Sequence, residues 1–152
     1  MSPVEDFAFL DPWHRILPDR GIVGIAGSGG CTTTLLALVQ RWRERGRSVL
    51  VSQTTAHPVP QLLRHAQVEA DAPRVRARLA AEGLAVVTGP GEEERRAGID
   101  PDRLEELRCA VMPDVLVVQA QDSARSLLRT RPVPPVWPRS LGLAVLVAQV
   151  GA

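Results

Sequence analysis

Gly21–Thr33 reads GIVGIAGSGGCTT, an apolar run that ends in glycines and passes into hydroxyl residues. Gly21–Ala26 has the composition of a buried parallel strand. From Thr32 to Gly46, Leu35, Leu36, Val39 and Trp42 form an apolar stripe at helical spacing, and Gly46 stands where a helix would stop. The stretch therefore reads strand, glycine turn, helix. Glycines allow positive φ and let backbone N–H groups converge on a small anion, and a helix start adds partial positive charge there. The plainer reading of the same glycines is tight packing of the strand against the helix.

Outward from this unit, strands and helical segments alternate. Ser48–Ser52 (SVLVS), Leu84–Thr88 (LAVVT), Asp114–Gln119 (DVLVVQ) and Leu141–Ala148 (LGLAVLVA) are apolar on both faces, and the fourth strand, Asp114–Gln119, is expected at the centre. Helical stretches are expected near Gln61–Gln67 and over Ala72–Glu82, the second closed by Gly83. Asp100 reads as an N-cap with Pro101 at the first helical position, starting a helix to about Ala110. Gly89–Gly98, with the acidic run Glu92–Glu94, is expected as a loop, and Ser123–Arg131 as a short helix or an ordered loop. Together these elements predict an α/β fold, a three-layer P-loop NTPase-like domain with a mostly parallel sheet of about five strands. Residues 1–152 read as a single domain, with 1–20 as an N-terminal extension.

Bulk properties narrow the function classes. The chain is 45% apolar and 23% charged with a net charge of +1, so it is globular, and nothing points to nucleic acid or an acidic membrane as partner. The arginine runs Arg41–Arg47 and Arg74–Arg78 read as solvated helix faces. Cys31 and Cys109 are the only cysteines, which argues against a disulfide framework and fits a reducing compartment. The N-terminus carries Glu5 and Asp6 instead of a basic stretch, and Leu141–Val150 is too short to span a bilayer, so a cytoplasmic location is expected. Lysine, asparagine and tyrosine are absent while arginine is plentiful, a pattern of codon bias more than of function.

The turn Gly27-Ser28-Gly29-Gly30-Cys31-Thr32-Thr33 approaches the P-loop signature, in which a lysine reaches the phosphates and a Ser or Thr hydroxyl binds magnesium. Thr32 takes the hydroxyl position, Cys31 stands where the lysine belongs, and Ile25 stands where the longer signature has its first glycine. A thiol at a helix N-terminus can be reactive; a small residue tolerated there is the simpler account. His57 and His65 read as surface or packing residues, and Trp13, Trp42 and Trp137 as core cover.

With these segments in view, the chain resembles the YqeC-like selenium-dependent hydroxylase accessory proteins. Their Gly-x-Gly-Gly-Lys-Thr-Thr loop is matched by Gly27–Thr33, and their threonine turn after strand two by Gln53-Thr54-Thr55. A Gly-aliphatic-Asp-Pro-x-x-Leu stretch is matched by Gly98–Leu104. Their strand ending in an acidic motif, followed by a basic-Pro segment and a Pro-x-x-Pro stretch, corresponds to Val117–Asp122, Arg129–Pro132 and Pro135–Pro138. The resemblance runs from about Gly21 to Val150. It implies a P-loop nucleotide-binding protein helping the maturation of selenium-dependent molybdenum hydroxylases. The implied ligands are a nucleotide or phosphate, ATP or GTP with magnesium, and the implied partners are hydroxylase maturation proteins.

This chain departs from that pattern at the lysine, now Cys31, and at the acidic pair, now Gln119 and Gln121. Asp122 supplies a carboxylate for the metal beside Thr32 if the loop shifts by one residue. Phosphoryl transfer depends on the missing electrostatics. The expectation is therefore a binding site at Gly27–Thr33 with weak or no hydrolysis. The alternatives are an active NTPase or small kinase in which Arg125, Arg129 or Arg131 supplies the cation, and a non-enzymatic remnant kept as a partner surface. Members of the family are longer, so the chain is expected to be shortened at its C-terminus.

Overall fold

A run that buries both its faces forms a strand only when helices cover both sides of the sheet. In the structure, a computed structural model, the described residues are 13–27, 30–56, 67–68, 71–92, 95–122 and 136–147. For residues 13, 14, 67, 68, 121 and 122 the description is confined to the backbone. The main strands are β1 (Gly21–Gly27), β2 (Val49–Gln53), β4 (Leu84–Thr88), β7 (Val115–Asp122) and β8 (Leu141–Val147). A two-residue strand β3 (Gln67–Val68) joins them, giving the order β3-β4-β2-β7-β1-β8 with every pairing parallel. The expected α/β architecture stands, with β7 near the centre between β2 and β1.

The helices are α1 (Trp13–Ile16), α2 (Cys31–Glu44), α3 (Ala72–Glu82) and α4 (Pro101–Val111). Strand alternation divides the core into two halves. Val23, Ile25, Val49, Val51, Val115 and Val117 pack with Leu35, Leu38, Val39 and Trp42 of α2. Ile22, Leu50, Leu116 and Val118 pack on the other side with Val75 and Leu79 of α3 and Leu104, Leu107 and Val111 of α4. Three layers result. Leu17, within the expected extension, is buried in the α2 half, and the Trp42 indole N–H donates to Pro18 O at 2.8 Å. Trp137 lies on Gly24 so closely that a Cβ there would fall 2.3 Å from its ring.

Helix ends follow their local chemistry. Asp71 caps α3 by accepting from Arg74 N–H, Asp100 caps α4 by accepting from Asp102 and Arg103 N–H, and Gly83 takes the left-handed conformation that ends α3. Gly46 does the same just beyond α2, with φ +73.

Two expectations are corrected. Gln67, placed at the end of a helix, instead pairs with Val87 in β3; residues 61–66 lie outside the described residues. The stretch Gly89–Gly98 is not wholly loop: β5 (Gly91–Glu92) pairs antiparallel with β6 (Arg95–Arg96). Ladders of two residues have no periodicity to detect, and this one depends on Gly91, at φ +146, where a Cβ would meet Arg95 O at 2.4 Å. Ser123–Arg131, His57 and His65 also lie outside the described residues.

Candidate functional site

In an open parallel sheet, ligands bind beyond the carboxyl ends of the strands, where neighbouring connections diverge. Here the chain leaves β1 through α2 and crosses over β7 to reach β2, whereas it leaves β7 and crosses β1 to reach β8. The glycine turn sits at that divergence. Gly27 ends β1 so close to β8 that a Cβ would lie 1.9 Å from Val147 O. Gly30 has φ 75 and ψ 6, a left-handed conformation that suits glycine, and its carbonyl accepts from Thr34 N–H at 3.0 Å. Among the described residues no side chain caps α2, and its first turn holds no acid.

Of the expected site residues, Gly27, Gly30, Cys31, Thr32 and Thr33 gather at this end, and Ser28 and Gly29 lie outside the described residues. Thr32 and Thr33 are exposed. Cys31 is 2% exposed and packs in the α2 half of the core. Its thiol is therefore not displayed to solvent as a reactive group would be.

Strand β7 reaches the same point by a register shift. Ile25 pairs with Gln119, but Ala26 pairs with Gln121 and Gly27 with Asp122, so Ala120 is the extra residue of a bulge. Without the bulge Gly27 would face Gln121; with it, Asp122 stands opposite Gly27. The threonine turn after β2 ties this irregularity down. Thr54 N–H donates to Gln119 O at 3.0 Å and Thr55 Oγ1 donates to Ala120 O at 2.9 Å. Thr54 Oγ1 donates to Val136 O at 2.8 Å, and Gly98 approaches Thr54 so closely that no side chain fits between them. This turn braces the C-terminal end of the central strand β7.

Sequence reasoning treated Gln119 only as a lost acid, yet Gln119, Gln53 and Thr88 form a buried polar row. They are 3%, 5% and 1% exposed. Gln119 pairs with Gln53 in register, and alternation from Val117, Val51 and Val86 puts all three on the α2 side. Gln53 Nε2 donates to Arg96 O at 2.8 Å. Gln119 Nε2 and Thr88 Oγ1 have no partner among the described residues. A signal was present in the sequence: VLVSQ and VLVVQ are nearly the same strand, each closing on glutamine.

A model of the family described as YqeC protein matches residues 23–152. The chain belongs to the YqeC family. Neither curated proteins nor solved structures gave a significant match. Within the YqeC match lie the glycine turn, the bulge and the threonine brace, all at one end of the sheet. A groove of about 1030 Å³ lies at the opposite end, between the C-terminal parts of α2 and α3. Among the described residues no helix is long and apolar enough to cross a membrane.

Proposed function

We propose that this YqeC-family chain is a nucleotide- or phosphate-binding accessory protein in the maturation of selenium-dependent molybdenum hydroxylases, with weak or no hydrolysis. One observation carries the reading: the start of α2, headed by left-handed Gly30, stands at the divergence of β1 and β7. Backbone N–H groups and the helix dipole there favour an anion without needing a side-chain cation.

Thr32 and Asp122 are the groups proposed to hold magnesium arriving with ATP or GTP, since that ion takes oxygen ligands and keeps much of its water. The ion would neutralise phosphate charge. Gln119 offers a neutral amide where the family has an acid, so this donor set holds the ion weakly. With Cys31 turned into the core, no side chain at the lysine position offsets charge developing on a transferred phosphoryl group. Binding without turnover follows.

Calorimetric titration with ATP and GTP, with and without magnesium, tests the reading. Heat of binding at millimolar nucleotide with no phosphate release is expected. No heat with any nucleotide or with inorganic phosphate would remove the claim.

A further inference from the structure

Gln119 carries an observation that anion binding at the α2 start does not by itself require. Gln119 is 3% exposed, its Nε2 has no hydrogen-bond partner among the described residues, and burying an amide N–H in that condition is costly. By register it stands beside Ile25 of β1, on the side where Cys31 opens α2. The family's acid at this place accepts hydrogen bonds and repels phosphate unless a metal ion stands between them. The amide of Gln119 has the opposite sense, because its nitrogen donates. The lysine is lost in the same chain. One positive and at least one negative charge have thus been removed together, and the donors left are backbone N–H groups and this amide.

We propose that Gln119 is a ligand-binding residue whose Nε2 donates directly to the bound phosphate, so that affinity for the anion persists when magnesium is removed. The inference rests on the phosphate-binding reading above. It deepens that reading by naming a metal-independent phosphate or phosphate ester as the ligand. Asp122 and Thr32 then add affinity for a magnesium-bound nucleotide without being required for the anion itself. The buried orphan is explained at the same time: the amide is held ready for an acceptor that the ligand supplies.

Inorganic phosphate and ATP are titrated into the full chain in EDTA and again in magnesium, for the wild type, Gln119→Leu and Gln119→Glu. The wild type is expected to bind in both buffers. Gln119→Leu should lose about tenfold or more in affinity in both, the value of one hydrogen bond to a charged group. Gln119→Glu should bind in magnesium only. Gln119→Leu should also melt higher than wild type without ligand, because the unpaired donor is gone, which separates a lost contact from a damaged fold. The side-chain amide resonances of Gln119 in the wild-type protein give a readout that needs no variant, and phosphate should move them. Wild-type affinity that vanishes in EDTA, unchanged binding by Gln119→Leu, or unmoved amide resonances would overturn the role of Gln119 and leave the phosphate site standing. Absence of binding in every buffer would remove both.

Discussion

At the N-terminal end of the sheet, Ser48 N–H donates to Asp114 Oδ2 at 2.9 Å while Asp114 N–H donates to Ser48 Oγ at the same distance. At the C-terminal end, Gln119 and Thr88 hold buried polar atoms with no partner among the described residues. The first end clips β2 to β7 and closes on itself. Arg45 and Arg47 extend the closure by pairing with Asp19 at 3.5 and 3.6 Å. The second end combines a bulge, a left-handed glycine and a helix start. Arg47 Nε at the first end is also a buried atom with no partner among the described residues, so the two ends differ in the bulge, the left-handed glycine and the helix start and not in unmet donors alone.

The hardest way to break the closed end is Trp42→Ala. Trp42 is wholly buried and its indole N–H anchors Pro18 O, so the change should cost about 3–5 kcal/mol, read from chemical denaturation. Next in size, Gly27→Ala forces a methyl group against Val147 O at the open end. A loss of about 2 kcal/mol is expected, and because β8 must shift, anion binding should fall with stability. A variant as stable as wild type would mean that the β1–β8 approach is looser than it stands here.

The smallest effect sharpens the comparison through pH. The Asp114 carboxyl is held below its ordinary value of 3.8, chiefly because Ser48 backbone N–H donates to it, with the charges of Arg20 and Arg47 adding to the shift and desolvation opposing it. A lowered folded-state value means that its contribution is fully present above pH 3.8 and is lost as pH falls through the folded value. Asp114→Asn should therefore flatten the acid limb of melting temperature against pH and cost less than about 1 kcal/mol near neutrality. An unaltered acid limb would show that the clip is not a titrating element.

Most of the architecture was legible in the sequence. The five long strands are apolar on both faces, a local property, and α3 runs from Ala72 to Glu82, as its closing Gly83 implied. The start of α4 followed from Asp100 and Pro101. What was not legible depends on distant partners. The bulge at Ala120 arises from how β7 meets β1, with the threonine turn of β2 bonded across it. Strand β3 and the β5–β6 ladder are too short to carry a pattern. At the site, the glycine turn between β1 and α2 was readable, while the inward direction of Cys31 and the pairing of Gln119 with Gln53 were not.

By itself the sequence determined which segments are strands and which are helices, and that a glycine turn joins the first of each, because periodicity, capping and turn chemistry act over a few neighbouring residues. Tertiary structure alone decided that β7 lies between β1 and β2, that Asp122 stands opposite Gly27, and that an amide is buried without an acceptor among the described residues. Those features belong to pairs of segments far apart in the chain, and only packing brings the pairs together.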